Sequence, residues 1–218
     1  MKKENKKNLY IAICFLSAFL FWTAAVSLVD VRAIGPEGSS VGFAKVNSLV
    51  HKFLGVHMDL YIITDWLSLI PVGVVLGFAY LGLLQWIKRK KFSKIDYSIL
   101  VLGGFYVVVM AVYVLFEIFV VNYRPLLING CLEASYPSST TMLVMCIMPT
   151  AMMQTNCRIK NPVLRKTVNT AIFVFIIFMV FARLVSGVHW LTDIVGGALL
   201  STGLVKMYSY IIGLKQKP

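Results

Sequence analysis

The chain is built around one polar segment, Ala182-Arg183-Leu184-Val185-Ser186-Gly187-Val188-His189-Trp190-Leu191-Thr192-Asp193. An apolar run lies on each side of this segment, and each run is long enough to cross a bilayer. Charged residues so close to membrane spans are rare unless they serve a function. The segment is therefore the first candidate for a functional site.

The types and spacing of the charged residues in this segment indicate a particular chemistry. His189 and Asp193 are four residues apart, so on a helix they would lie on one face. An Asp that accepts the proton of one imidazole nitrogen leaves the other nitrogen as a nucleophile or base. Arg183 has a planar fork that suits phosphate oxygens. The alternative is a short polar loop that carries a histidine without using it.

Composition excludes an ordinary soluble domain, because 59% of the 218 residues are hydrophobic. The net charge of +12 does not indicate a nucleic-acid partner. The basic residues lie in short clusters between apolar runs, where they set topology and meet anionic headgroups of the bilayer. The four cysteines show no metal-binding spacing and imply no disulfide framework.

The apolar runs predict an all-α fold, a polytopic membrane bundle of six transmembrane helices in a single domain, residues 1–218. The predicted spans are about 9–29, 66–87, 97–121, 138–155, 167–185 and 190–214. A cleaved signal peptide is the alternative for the first span, although its apolar run is long for one. We expect residues 30–64 to form a loop that contains a short amphipathic surface helix within 41–56.

The distribution of Lys and Arg predicts the orientation of the bundle. Sixteen of these residues fall at the two termini and in the loops near Lys90 and Arg165, against five on the opposite side. This bias predicts that both termini are cytoplasmic and that the candidate site is extracytoplasmic, in the cell inner (plasma) membrane of a bacterium. The oligomeric state cannot be predicted from these patterns.

Three polar segments fall on the predicted outer side. They are Arg124-Pro125, Tyr136-Pro137-Ser138-Ser139-Thr140-Thr141 and the segment around His189. The second segment begins a predicted helix, whose free N–H groups form a ready phosphate site, although Ser138 would also be explained by plain helix capping. Two arginines, a helix N-terminus and an oriented histidine together indicate phosphoryl transfer through a phospho-histidine. We see no carboxylate cluster for a metal, so we expect neither metal nor cofactor.

In this order and spacing, the three segments resemble the type-2 phosphatidic acid phosphatase superfamily of integral membrane lipid phosphatases. The family pattern is Lys, six residues, Arg-Pro; then Pro-Ser-Gly-His; then Ser-Arg, five residues, His, three residues, Asp. The third segment matches best, with Arg183, His189 and Asp193 in register. The resemblance implies metal-independent dephosphorylation of a lipid phosphate or pyrophosphate.

The resemblance also implies a role for each matching residue. His189 would be the nucleophile and Asp193 its orienting partner. Arg124 and Arg183 would clamp the phosphate. Ser138 and the amide of Ser139 would hold a phosphate oxygen.

The chain departs from the family pattern at three positions. Glu117 stands at the place of the family Lys and would repel a phosphate unless it pairs with Arg124 or is protonated. Thr140 replaces the histidine that protonates the leaving group, and the loss of such an acid typically costs on the order of 100- to 10,000-fold in rate. Ala182 replaces a serine.

Three compensations for the missing acid are open. A histidine of the surface segment, His51 or His57, could supply the proton. Glu117 or Glu133 could do so with a raised pKa. The third compensation is a good leaving group, such as the phosphate of a polyprenyl pyrophosphate, which we favour over phosphatidic acid.

These observations favour an outward-facing lipid phosphatase or pyrophosphatase. The alternatives are a catalytically impaired relative that binds a phospholipid or a membrane partner, and a phosphotransferase that moves phosphate between lipids. A channel or transporter is disfavoured, because the sequence shows no broken helices or repeated halves.

Overall fold

The computed structural model describes residues 2–215, with only the backbone of residues 2 and 3. Eight helices lie in this range: α1 Lys2–Leu28, α2 Ala44–Leu54, α3 Met58–Leu67, α4 Leu69–Arg89, α5 Tyr97–Ile118, α6 Ser139–Arg158, α7 Pro162–Val185 and α8 Leu191–Gly213. Two short strands, β1 Arg32–Ala33 and β2 Ser40–Val41, pair in antiparallel fashion between α1 and α2. The predicted all-α membrane bundle is confirmed. The predicted single domain, residues 1–218, extends beyond the described residues. Lys217, one of the basic residues that predict a cytoplasmic C-terminus, also lies outside them.

The first and last long helices pack closely together. A Cβ atom at Gly203 of α8 would lie only 2.8 Å from the side chain of Leu16 in α1. Near the opposite end of α8, the Trp22 indole of α1 donates a hydrogen bond to the carbonyl of Thr192. Small residues thus let two helices approach, and a polar contact fixes their register.

The second span differs most from its predicted bounds. Helix α3 begins at Met58, inside the stretch that we expected to be a loop, and it is nearly continuous with α4. A short break separates the two helices around Ser68. Pro71 explains the break, because it has no N–H for the carbonyl of Leu67 four residues earlier. The prediction of a loop up to residue 64 is therefore wrong at its C-terminal end.

The predicted surface helix exists as α2, and polar side chains hold it to the bundle. Asn47 is completely buried and donates to both the carbonyl of Gly42 and the Thr192 hydroxyl at the start of α8. Leu49 and Phe53 on the other face are 71% and 87% exposed. The helix is thus amphipathic in the expected sense, with its polar anchor inward.

Five helical segments are long and apolar enough to cross a membrane: Glu4–Leu28, Met58–Arg89, Tyr97–Ile118, Pro162–Val185 and Leu191–Gly213. The protein is thus a multi-pass membrane protein. The remaining predicted span, 138–155, corresponds to α6, which is less apolar than these five segments and packs against α4, α5, α7 and α8. Its buried residues include Thr141, Thr150 and Gln154. A helix covered by protein rather than lipid can carry such polar groups, so the six-span count remains a prediction.

Candidate active site

The three predicted segments meet at one end of the bundle. Arg124 follows α5, Ser138 precedes α6, and Arg183 lies in the last turn of α7. The backbone N–H of Ser138 donates to the carbonyl of Asp193 in the first turn of α8. Glycine makes this approach possible, because a Cβ atom at Gly196 would lie 2.5 Å from the ring of Tyr136.

His189 and Asp193 come together, but not in the way that the sequence predicted. His189 lies in the turn between α7 and α8, so the two residues do not share a helix face. The distance from His189 Nδ1 to Asp193 Oδ2 is 3.8 Å, too long for a hydrogen bond. The Ser135 hydroxyl lies between them, 2.9 Å from His189 Nδ1, and donates to Asp193 Oδ2. The expected direct hydrogen bond is thus replaced by a bridge through a serine.

The carboxylate of Asp193 is surrounded by donors. The backbone N–H of Trp190 donates to Oδ2 over 2.9 Å, and the Asn122 side-chain amide donates to Oδ1 over 3.3 Å. Asp193 is completely buried. The Asp193 carboxyl group thus serves as the acceptor for Ser135, Trp190 and Asn122.

The other ring nitrogen of His189, Nε2, is buried and has no hydrogen-bond partner among the described residues. The pKa of His189 is lowered to about 4, mainly by burial and also by the charges of Arg124 and Arg183, while nearby Asp193 acts to raise it. His189 is therefore a neutral imidazole near neutral pH. Its free Nε2 is suited to nucleophilic attack.

Both arginines lie close to His189 with unused donors. Arg124 is 8% exposed and Arg183 2% exposed. Within the described part of the chain, Arg124 Nε and Nη1 and Arg183 Nε have no hydrogen-bond partner. Arg124 Nε lies 3.0 Å from a carboxylate oxygen of Glu133, an ion pair without hydrogen-bond alignment. Buried guanidinium donors without partners are expected where an anion binds.

Helix α3 supplies two residues that support the arginines. The Thr64 hydroxyl accepts a hydrogen bond from Arg183 Nη1 over 3.1 Å. The ring of Tyr61 lies over both guanidinium groups, with its centroid 4.7 Å from Cζ of Arg183 and 6.0 Å from Cζ of Arg124. These contacts hold the two positive charges side by side.

The start of α6 is built as predicted. Ser138 is its N-cap, and the hydroxyl of Ser138 accepts a long hydrogen bond from the Thr141 N–H. Thr140 is buried at 7% exposure, and the Thr141 hydroxyl is buried without a partner among the described residues. The helix N-terminus therefore points unused polar groups toward the same end of the bundle.

The accessory residues that we considered, Glu117, His51 and His57, make other contacts in the structure. Glu117 is exposed and shares a narrow crevice with Ser139, and among the described residues it makes no ion pair with Arg124. Glu133 instead forms the ion pair with Arg124 that we had considered for Glu117. His51 Nε2 is bonded to the carbonyl of Gly187, and exposed His57 to that of Leu54.

Four residues of the site were missed from the sequence. They are Tyr61, Thr64, Asn122 and Ser135. Ser135 lies just before a segment that we did single out, but its type and position carry no signal of contact with His189. Tyr61 and Thr64 lie within residues 30–64, which the sequence predicted to be a loop.

Residues 119–217 match the family model of the PAP2 superfamily. The predicted resemblance to this superfamily is confirmed over these residues. The matched region contains Arg124, Ser138 and the segment around His189, and it begins after Glu117, where the chain departs from the pattern. The PAP2 site thus coincides with the polar end of the bundle.

A solved structure supports the fold of the remaining residues. It is described as the first transmembrane PAP2 type phosphatidylglycerolphosphate phosphatase from Bacillus subtilis. The TM-score is 0.57 at 19% identity, over 95% of this chain and 98% of that chain. At this identity the likeness shows the fold alone. No curated protein matches this chain.

Within residues 2–215, no three His, Cys, Asp or Glu side chains are grouped as metal ligands. Apart from Asp193, the charged and hydroxyl side chains of the site belong to arginines, serines, threonines and one tyrosine, which suit an anion better than a cation.

Proposed function

We propose that this protein is an integral membrane lipid phosphatase or pyrophosphatase that works through a phosphorylated His189. The observation that carries the proposal is the group of unpartnered buried nitrogens. His189 Nε2 has no hydrogen-bond partner among the described residues, and neither do Nη1 of Arg124 and Nε of Arg183. A neutral nucleophile beside unused guanidinium donors is suited to attack a phosphate.

The reaction would proceed in two displacements. Nε2 of His189 forms a bond to phosphorus while the bond from phosphorus to the leaving oxygen breaks. The leaving group departs with the bonding electrons, and the two guanidinium groups balance charge on the phosphoryl oxygens. Water then attacks phosphorus, the N–P bond breaks, and His189 and inorganic phosphate are released.

Thr140 cannot act as a general acid near neutral pH, so it cannot protonate the leaving group. His51 and His57 are bonded to backbone carbonyls, and Glu117 lies apart from Arg124. A substrate whose leaving group needs little protonation fits this site best. We therefore favour a lipid pyrophosphate, such as a polyprenyl pyrophosphate, over phosphatidic acid.

The basic clusters support an orientation for this reaction. Lys88 and Arg89 end α4 at the end of the bundle opposite to Arg124 and Arg183. With positive residues inside, both termini are cytoplasmic and the site opens outward at headgroup depth in the plasma membrane.

A second candidate is a catalytically impaired relative that binds phospholipid without turnover. Two observations favour it. Thr140 replaces the family acid, and the ring of Tyr61 covers both arginines. A binding role would need only the two arginines that form the phosphate cradle, and not the nucleophile His189.

The test is phosphate release in detergent with chelator present, from polyprenyl pyrophosphate, phosphatidic acid and phosphatidylglycerophosphate. The variant is His189→Ala, and the matched control is His57→Ala, an exposed histidine on the same side of the protein. We expect release by the native protein and by the control, and none by His189→Ala. Equal release by His189→Ala, or none by the native protein from any of the three lipids, would overturn the proposal. Transfer to another lipid without free phosphate would identify a phosphotransferase.

A further inference from the structure

The gap between His189 and Asp193 is the feature that the proposed reaction leaves unexplained. A direct hydrogen bond would fix the imidazole, but the two side chains are 3.8 Å apart. The Ser135 hydroxyl fills this gap and touches both. All three residues are at most 3% exposed, so water cannot substitute freely for any of them.

The direction of the hydrogen bonds follows from proton counting. The hydroxyl of Ser135 donates its single proton to Oδ2 of Asp193. The Ser135 oxygen can then only accept from His189 Nδ1, which must carry a hydrogen. The remaining ring nitrogen, Nε2, is left with its lone pair. The three side chains therefore select one tautomer of His189.

Ser135 is held in place by the loop that also carries Arg124. The N–H of Ser135 donates to the carbonyl of Asn122, and the N–H of Arg124 donates to the carbonyl of Glu133. The Asn122 side chain in turn donates to Asp193. A single short ladder of backbone hydrogen bonds thus positions both an arginine of the phosphate cradle and the serine bridge.

We propose that Ser135 is a positioning residue, so that His189 is oriented through a His189–Ser135–Asp193 chain rather than by Asp193 directly. The effect on turnover rests on the proposed phosphatase function, whereas the effect on the tautomer does not. During attack by Nε2 the imidazole gains positive charge while Nδ1 keeps its proton. These hydrogen bonds stabilise the positive charge on the imidazole through Ser135, with no net proton transfer to Asp193.

The tautomer can be read directly. The chain has three histidines, so ¹⁵N-histidine labelling gives a spectrum that His51→Gln and His57→Gln assign. We expect His189 of the native protein to show a protonated Nδ1 and an unprotonated Nε2, and Ser135→Ala to show a mixture of tautomers. A native His189 protonated at Nε2 would overturn the proposal without any variant.

Turnover gives the second readout. Ser135→Ala should lower kcat on the order of 10- to 100-fold, the usual cost of losing a group that orients a functional histidine, with little change in KM. The matched control is Ser201→Ala, a fully buried serine that contacts the Met142 carbonyl instead. The proposal is wrong if Ser135→Ala keeps the native tautomer and turns over like the control. If no variant shows activity, the tautomer spectra still decide the role of Ser135.

Discussion

His189 carries the most information of any single residue, because its two ring nitrogens have opposite surroundings. Nδ1 is bonded to Ser135, and Nε2 is buried with no partner in the described part of the chain. An unpartnered buried nitrogen costs about 1–3 kcal/mol, so its retention indicates a ligand that uses it. Arg124 shows the same pattern at Nη1 and Arg183 at Nε.

The first prediction concerns the charge of His189. Burial lowers the pKa of His189 from 6.5 to about 4. The folded protein should therefore keep His189 neutral as the pH falls from 7 to 5, and protonate it only near pH 4. The assigned ¹⁵N-histidine spectrum, followed with pH, checks this. A midpoint between pH 6 and 7 would contradict it.

The second prediction concerns the missing acid. Thr140→His should raise turnover of phosphatidic acid, whose alkoxide needs a proton, by on the order of 100-fold, and change lipid pyrophosphate turnover little. Thr140→Asn is the control for a larger side chain without an acid. Equal effects of both variants on both substrates would show that leaving-group protonation is not limiting.

For single residues, type and spacing in the sequence indicate the charged side chains of the candidate site, but not the side chain that bridges two of them. His189, Asp193, Arg124 and Arg183 were all found, because ionisable groups beside membrane spans are conspicuous. Ser135 was not, because a serine in a polar loop is ordinary, and only the fold brings it between two residues more than 50 positions away.

At the scale of helices, the site depends on α2 and α3 as well as on the four helices that carry the three segments. Helix α3 places Tyr61 and Thr64 against the arginines. Helix α2 is tied to the start of α8 by Asn47. Both helices therefore support the proposed phosphate site, although they lie outside the region that matches the family model.

The third prediction tests the support from α3. Thr64→Val removes the hydroxyl that accepts from Arg183 Nη1 while keeping side-chain size. A hydrogen bond to a charged group is worth about 1.5–3 kcal/mol, so kcat/KM should fall roughly 10- to 100-fold. Steady-state kinetics in detergent check this, with Thr202→Val in α8 as control, because Thr202 bonds only to the Ala198 carbonyl. Unchanged kcat/KM would remove Thr64 from the cradle.

The fourth prediction tests the anchor of α2. Asn47→Ala removes the hydrogen bonds that Asn47 makes with the hydroxyl and the N–H of buried Thr192, and should lower the free energy of unfolding by about 1–3 kcal/mol. Thermal unfolding in detergent measures this, with half-buried Ser48→Ala as control. Equal melting temperatures for both variants would show that α2 is not held by Asn47.

The helices themselves were largely predictable, since apolar runs of membrane-spanning length leave few alternatives. The exception was α3, whose Asp59, Thr64 and Asp65 interrupt the apolar run and hid the helix from a hydrophobicity argument. The structure explains these residues, because Thr64 turns inward to Arg183.

At the scale of the whole molecule, all of the site residues lie at one end of the bundle and the densest basic clusters at the other. Arg124 and Arg183 are at the site end, whereas Lys88, Arg89 and Arg158 are at helix ends opposite to it. The six-span topology could be predicted from this charge bias, but the central place of α6 could not, because it follows from packing rather than from composition.

The fifth prediction tests this topology with two native cysteines. Cys131 lies in the site loop and Cys157 near the far end of α6, and both are exposed. A membrane-impermeant maleimide applied to spheroplasts should label Cys131 and not Cys157, provided that α6 crosses the membrane. Cys131→Ser and Cys157→Ser assign the label, in a Cys14→Ser background. Labelling of both cysteines, or of Cys157 alone, would contradict the proposed orientation.

The most direct test of the central claim is to trap the phosphorylated enzyme. The native protein is mixed with a lipid pyrophosphate labelled with ³²P at the terminal phosphate, and quenched in alkali, which spares phospho-histidine. We expect label on the peptide that contains His189, and none in His189→Ala. Full turnover with label on another residue, or turnover that persists in His189→Ala, would contradict the account.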